Sequence, residues 1–562
     1  MSQAANATTD GLTLPVALAR RFEAIVFDWD GTAVPDRHAD ARRMRRLIEE
    51  ACLVGLELVI VSGTHVDNID GQLAARPAGP GGLVLLLNRG SEAFRVDRVG
   101  PRLLERRTAT PEEDAALSSA AQLTVDRLES RGVRARIVAE RLNRRKIDLI
   151  PEPEWAEPPK ARIGELLAAV EARLAAAGVE GLAGAVTIAR SAATGAGLTD
   201  ARVTSDAKHL EIGLTDKSDS ARWIMRELWH GGIGPGQVLV AGDELGPLGG
   251  LPGSDSNLLI GPARRATAVS VGVEPEGVPS GVIALGGGPE TFAGVLEDQI
   301  DRRRRGEPPS IDPDPAWVVT IDGVDPVLER VHESLLTLAD GRLGTRGSVL
   351  VGDVADEPSV LLSGVYVGAG PETELLSGPR WNHVAITGAV ELGPRRVLDL
   401  HTGTLSEELV AGDVRLQAAL LSSLARPATA VLRVRGHGAD LSAERGPQPP
   451  DDTTEVQTGS AGDCSWMRVA GPPGSIVAAS HDHVDGGGQD WALDRIVCYE
   501  GSPTGVADEH AALDRLGEAR EQGFERLLGE HRRAWAARWE DADIRVDGDQ
   551  DLQLAVRLAL FI

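Results

Sequence analysis

Short apolar runs that each end on a chemically useful polar residue constrain this chain more than any other feature. Glu23-Ala24-Ile25-Val26-Phe27 stops at Asp28, Leu56-Glu57-Leu58-Val59-Ile60-Val61 stops at Ser62, and Gln237-Val238-Leu239-Val240-Ala241 stops at Gly242-Asp243. Runs of this length without polar alternation are buried on both faces, as parallel strands are. Residues 38–54 carry apolar residues at helical spacing, with Arg and Glu on the outer face. Strand, helix, strand predicts a doubly wound α/β sheet, whose ligand sites lie at the carboxyl ends of its strands.

The remaining segments sort by texture. Leu83 to Leu87 is a further apolar run, before Asn88-Arg89-Gly90. Residues 110–130 and 160–178 read as Ala/Leu/Glu-rich helices, and 135–138 and 146–150 as short strands, together an inserted α+β cap. A helix is expected after Lys217, and 255–300 complete the sheet. Residues 301–315, DRRRRGEPPSIDPDP, are charged and Pro-rich, as linkers are. From 316 to 510 short alternating segments are separated by Gly and Pro turns, which predicts an antiparallel β-sandwich. A charged helix then runs from about Glu509 to Trp539. A strand-like Ile544-Arg545-Val546 follows, and a second helix begins near Gln550. That apolar helical pattern is still running at Phe561-Ile562, so the chain is expected to be interrupted there. The predicted division is a disordered lead-in over 1–21, a first domain over 22–300 (core 22–88 and 205–300, cap 89–204), a linker over 301–315, a sandwich over 316–510 and an incomplete helical linker over 511–562. The fold class is thus multidomain α/β plus β.

A net charge of −26 disfavours nucleic-acid phosphates and anionic membranes as partners. An anionic substrate then needs a local positive site. Cys52, Cys464 and Cys498 are scattered without CxxC spacing, so neither a disulfide framework nor a zinc site is expected, and a reducing cytoplasm fits. The first 21 residues lack the basic start and apolar run of a signal peptide, and no stretch reaches the roughly 18 apolar residues of a membrane span.

Phosphoryl transfer needs an in-line nucleophile, a proton donor for the leaving oxygen, a metal to neutralise charge, and fixed donors for the equatorial oxygens. All four are on offer at strand ends. In Asp28-Trp29-Asp30-Gly31-Thr32, Asp28 can attack phosphorus, and Asp30 can protonate the leaving alkoxide and later activate water. Ser62-Gly63-Thr64 supplies a hydroxyl and backbone N–H groups for phosphate oxygens. Lys217 can bridge nucleophile and phosphate, and Asp243 can hold Mg²⁺ through oxygen. Alone, each has a plainer reading: an Asp-rich turn, a helix cap, a surface lysine, a strand-end turn.

The strings FDWDGT, VSGT, TDKS and AGDE, in this order and at these strand ends, resemble the haloacid dehalogenase superfamily of phosphatases over residues 22 to about 300. The resemblance implies a Rossmann-like core, an aspartyl phosphate on Asp28, Asp30 as acid/base, Ser62, Gly63 and Lys217 as phosphate binders, and Mg²⁺ held by Asp28, Asp243 and the Asp30 carbonyl. The insertion of about 150 residues between Ser62 and Lys217 looks like the cap of the sugar-phosphatase branch, which includes trehalose-6-phosphate phosphatases. Lys208-His209-Leu210-Glu211-Ile212 is similar to that group's strand with a sugar-contacting Glu211. The basic residues Arg141, Arg144, Arg145 and Lys146 are expected as a solvated face. The family commonly places a second acidic residue four positions after Asp243. Here that position is Pro247, so Glu244 or Asp255 is expected to supply the carboxylate.

GRLGTRG at 341–347, Gly364-Val365-Tyr366, Leu398-Asp399-Leu400-His401-Thr402-Gly403 and His531-Arg532-Arg533-Ala534-Trp535 resemble the opening of glycoside hydrolase family 65 over about 316–562. That family comprises phosphorylases and hydrolases of α-linked disaccharides. The resemblance implies a β-sandwich whose catalytic barrel is missing from this chain, with carbohydrate as a partner. Trp317, Trp381, Trp466 and Trp491 are expected in the core more than against sugars. The leading expectation is a sugar phosphatase, of trehalose 6-phosphate. The alternatives are a phosphoglucomutase-type phosphotransferase and a non-catalytic carbohydrate-binding scaffold.

Overall fold

The computed structural model describes residues 7–9, 12–156, 162–351, 360–387, 393–442, 445–450 and 455–562. The fold is multidomain α/β plus β. Contacts divide the chain into two units, one of residues 1–228 and 237–300 and the other of residues 229–236 and 301–562. Among the described residues no helix is long and apolar enough to cross a membrane.

In the first unit the chain runs β1 (Ala24–Asp28), α1 (Arg42–Leu53), β2 (Glu57–Val61), β3 (Leu83–Leu87), β4 (Glu92–Val96) and β5 (Pro101–Arg106). It continues through α2 (Pro111–Glu129), β6 (Arg136–Arg141), β7 (Arg144–Asp148), α3 (Ile163–Ala176), α4 (Gly181–Gly195), β8 (Arg202–Ser205) and β9 (His209–Gly213). It ends with α5 (Lys217–His230), β10 (Val238–Gly242), β11 (Thr267–Ser270), β12 (Val282–Ala284) and α6 (Gly288–Arg304). The main sheet has the order β12-β11-β10-β1-β2-β3-β4-β5. The first six strands are parallel and the last two antiparallel. The order reverses between β1 and β10, so the loops leaving these two strands open a crevice between them. Every residue of β1, β3 and β10 is buried, as their unbroken apolar runs require.

A second, four-stranded antiparallel sheet, β8-β9-β7-β6, forms the cap. Leu210, Ile212 and Ile147 on one face of it share a core with Leu117, Val170 and Ala185 of α2, α3 and α4. Two boundaries move from the sequence expectation. Residues 92–106, expected in the cap, extend the main sheet, and 209–213, expected in the core, pair with β7 and β8 in the cap. The helix at 181–195 was not anticipated, because its Gly and Ala content hid its period. Nor is the lead-in loose where it is described: 7–9 pair with 12–14, and Leu14 and Leu18 are buried in the main core. Residues 1–6 and 10–11 of that expectation lie outside the described residues.

The second unit holds a nine-stranded and a four-stranded antiparallel sheet. Alternate residues separate its two interiors. Leu416, Ala418 and Leu420 share a core with Leu343, Leu362 and Leu376 of the small sheet, while Ala419 and Leu421 pack with Leu516 and Phe524 of helix Glu509–Ala542. Both faces are covered, which explains the unbroken run at 418–421. Ile544-Arg545-Val546 is not a strand. The Gln553 side chain accepts from Val546 N–H at 2.6 Å and donates to Ile544 C=O at 2.8 Å, standing in for the missing neighbour strand. Trp317, Trp381 and Trp491 are buried; the Trp381 and Trp491 indoles donate to Thr345 Oγ1 and Ala439 C=O, and Trp466 is half-buried under Arg468. The three cysteines are free thiols.

Glu407 is buried in this unit, with both carboxyl oxygens 3.1 Å from Leu350 N. Burial pushes its carboxyl up to about 7, and Glu329 adds to this while Leu350 and Arg396 oppose it. The native state thus favours the protonated form, and its stability contribution is complete below the ordinary glutamate range and is lost as pH rises through 7. Glu407→Gln is expected to flatten the fall in melting temperature of this unit between pH 5 and 7, which differential scanning calorimetry across that range checks.

Candidate active site

Asp28 is the last residue of β1, and Asp243 follows the last residue of β10, the strand beside it. Adjacent parallel strands therefore deliver two carboxylates to the mouth of the crevice. Beyond Asp28 the chain turns at once: Trp29 is fully buried, with its indole donating to Gln72 Oε1 at 2.8 Å. Gly31, at φ 93°, lets the backbone fold back so that its N–H reaches Val34 C=O. The turn leaves Asp30 half-buried and brings Thr32 Oγ1 to 3.2 Å from Asp243 Oδ1.

Lys217 is the first residue of α5. Asp216 caps the helix, accepting the Ser218 N–H at 2.8 Å. The Lys217 ammonium lies 2.7 Å from Asp28 Oδ1 and also donates to Asp255 Oδ1. Burial works against its charge, but Asp255 and Asp28 outweigh burial and hold it above the usual lysine range. Asp255 Oδ2 accepts the backbone N–H groups of Asp243 and Glu244 at 3.1 and 3.0 Å. Of the two residues expected to replace the missing carboxylate at Pro247, Asp255 is the one that joins the cluster. Glu244 contributes its backbone there, and its side-chain charge acts on Arg89.

Asp28, Asp243 and Asp255 are all buried, with carboxylate oxygens within 4.8 Å of one another. Three carboxylates against one ammonium, all offering oxygen, fit a hard divalent cation such as Mg²⁺. Ser62 is buried at the end of β2, next to β1, and its Oγ accepts the Thr64 N–H at 3.3 Å.

Glu211, on β9, lies in the cap and belongs to a second cluster. Its carboxylate is 2.5 Å from Arg89 Nε, 3.2 Å from Arg144 Nη1 and 3.6 Å from Lys146 Nζ. Burial alone would raise its pKa, but these three cations bring it down to about 2. Burial lowers Arg144 to about 10, helped by Arg89 and Arg141, because one carboxylate serves several cations. The basic run is therefore not a solvated face. Strand alternation divides it: Arg145 turns to α2 and bonds Asp114 and Ser118, while Arg144 and Lys146 share the opposite face with Glu211. Arg89, in the turn that leaves β3, was not among the expected site residues; its position just past an apolar strand was the available signal.

No family model and no curated protein matches the chain. Among solved structures, a human-microbiome protein assigned to kojibiose phosphorylase is 13% identical, covering 44% of this chain and 38% of that one, with a TM-score of 0.37. The IMP-bound, N-terminally truncated IMP-nucleotidase of Plasmodium falciparum is 10% identical over 50% of this chain and 68% of that one, with a TM-score of 0.33. A Eubacterium rectale protein is 11% identical over 49% of this chain and 98% of that one, at 0.30. The chain thus spans well under half of the first of these, and likenesses this partial carry no weight beside the site itself.

Asp255→Asn keeps the acceptor for the Asp243 and Glu244 N–H groups but removes a charge from the carboxylate cluster. It is expected to weaken Mg²⁺ binding about 10- to 100-fold, measured by isothermal titration calorimetry, with the fold retained by circular dichroism.

Proposed function

We propose that the first unit is a divalent-metal-dependent phosphomonoester hydrolase acting on a sugar phosphate, with trehalose 6-phosphate as the leading substrate. The observation that carries this reading is the Lys217 ammonium bridging Asp28 and Asp255 beside Asp243, at the carboxyl ends of adjacent strands. The resemblance of FDWDGT, VSGT, TDKS and AGDE to haloacid dehalogenase phosphatases supports the same assignment.

In this reading Asp28 attacks phosphorus in line, while Asp30 gives a proton to the sugar oxygen as its bond to phosphorus breaks. The aspartyl phosphate is then hydrolysed by a water whose proton Asp30 takes, releasing phosphate and restoring Asp28. Ser62 and the backbone N–H groups around Gly63 hold the equatorial oxygens, and Lys217 stays charged throughout. A divalent cation held by Asp28, Asp243 and the Asp30 carbonyl, with Asp255 alongside, would supply neutralisation of charge between carboxylate and phosphoryl group. The cap excludes water from the first step.

A mutase reading is less well supported, because only the turn after Asp28, α1 and β2 lie between Asp28 and Ser62, and the large cap enters after β5. The second unit is proposed as a carbohydrate-enzyme sandwich module, with no catalytic residue assigned in it.

With Mg²⁺ and trehalose 6-phosphate, wild type is expected to release inorganic phosphate and Asp28→Asn only background. Asp30→Asn is expected to be slower by about 10²–10⁴-fold. Equal release by wild type and Asp28→Asn, or interconversion of hexose phosphates without net phosphate, would overturn the assignment.

A further inference from the structure

Asn88 and Arg89 both adopt left-handed backbone, with φ 50° and 53°. That conformation is unfavourable for a residue with a side chain, so something must hold it. Asn88 N–H donates to Thr64 C=O at 2.9 Å and Arg89 N–H to Ser62 C=O at 3.3 Å, which ties the turn to the Ser62-Gly63-Thr64 loop. Gly90 is pressed so close to the start of α5 that a Cβ would lie 2.8 Å from Asp216 C=O. The turn is thereby fixed between two phosphate-binding segments, and its one long side chain has a set direction.

That side chain joins three places. Arg89 Nε is 2.5 Å from Glu211 of the cap, and Nη1 donates at 3.2 Å to Ser254 Oγ, next to Asp255. A Cβ on Gly63 would lie 3.7 Å from Arg89 Cγ. From the cap side Arg144 meets two of the same partners, donating from Nη1 to Glu211 and from Nη2 to the Gly63 carbonyl. Arg141 reaches that carbonyl as well, at 3.4 Å. The loop that would hold phosphate through its N–H side is thus gripped by the cap through its carbonyl side. Arg144 Nε is buried with no hydrogen-bond partner among the described residues. A spare guanidinium donor beside an ionised carboxylate suits hydroxyl groups, which both accept and donate.

Resting on the phosphatase reading above, we propose that Arg89 is a positioning and specificity-determining residue. Through Glu211 it couples closure of the cap to the Ser62-Gly63 and Asp255 loops. Phosphoryl transfer is therefore fast only for a hydroxyl-bearing leaving group that spans from the phosphate site to the cap. A phosphomonoester whose leaving group has no hydroxyls, such as p-nitrophenyl phosphate, gains nothing from the coupling.

The test compares wild type, Arg89→Ala, Arg89→Lys and Glu211→Gln on trehalose 6-phosphate and on p-nitrophenyl phosphate, with Mg²⁺. For Arg89→Ala we expect kcat/KM on the sugar phosphate to fall about 10²-fold, with kcat contributing to the loss, and the value on p-nitrophenyl phosphate to stay nearly unchanged. Arg89→Lys recovers part of the loss. In the Glu211→Gln background Arg89→Ala costs little more, since the two act as one unit. Hydrogen exchange without substrate should be faster in Arg89→Ala over 136–148 and 209–213. Equal losses on both substrates, or wild-type rates and exchange in Arg89→Ala, would overturn the proposal while leaving the phosphatase reading intact. No phosphate release by wild type from either substrate would instead sink the phosphatase reading and the specificity claim with it, and the exchange measurement would then decide the coupling.

Discussion

One buried ammonium organises the first unit. The sheet brings Asp28 and Asp243 together through its backbone hydrogen bonds, and the long loop after β10 adds Asp255, so three carboxylates meet where water is scarce. Like charges at such spacing repel strongly at low dielectric, and Lys217 is the cation that bridges two of them. Its place is costly in itself. A lysine at the first position of a helix sits at the positive end of the helix dipole, where an anion would be favoured. The two carboxylates override that preference, so the helix start is shaped by the site and not by helix stability. Removing one partner of such a buried pair typically costs about 3–5 kcal/mol, which makes the site a structural element as well as a chemical one.

The Asp255 carboxylate depends on glycines to arrive. A Cβ at Gly242 would lie 2.5 Å from Asp255 Oδ2, and one at Gly253 would lie 2.2 Å from the Glu244 carbonyl. Both close approaches need a residue without a side chain. Once there, Asp255 accepts the two backbone N–H groups that follow β10, so one carboxyl group binds the ammonium and also fixes the loop that carries Asp243. A carboxylate four residues after Asp243 would have been supplied locally. Here the chain returns 12 positions after Asp243 to provide it.

That difference marks the limit of what the sequence made legible. Unbroken apolar runs located β1, β2, β3 and β10, because burial on both faces leaves a strong pattern, and their terminal residues were readable with them. Glu244 and Asp255 could not be separated, since the choice turns on how a glycine-rich loop closes and not on any local period. Arg89 was passed over as part of a turn: nothing in Asn-Arg-Gly says that the turn abuts both the Ser62-Gly63-Thr64 loop and the start of α5. The run Arg144-Arg145-Lys146 was misread as surface charge, although strand alternation, applied to it residue by residue, divides it as observed. Ile544-Arg545-Val546 had strand composition but no neighbour, and a strand without a partner has nowhere to place its hydrogen bonds.

Charge sets the last constraint on what this unit can take. The chain as a whole carries −26, a field that repels any phosphorylated metabolite at long range. Screening confines that repulsion to about 8–10 Å in physiological salt, so the decision is made locally. Around Glu211 cations gather: Arg89 from the core and Arg144 and Lys146 from the cap surround its carboxylate, with Arg141 beside them at the Gly63 carbonyl. No one segment supplies this positive site, and the larger share of it is on the cap. An anion reaching Asp28 with the cap displaced would meet chiefly Lys217 against a cluster of aspartates. In the proposed reaction binding and closure therefore favour each other, and a leaving group able to bridge to the cap draws on charge that a bare phosphate cannot reach.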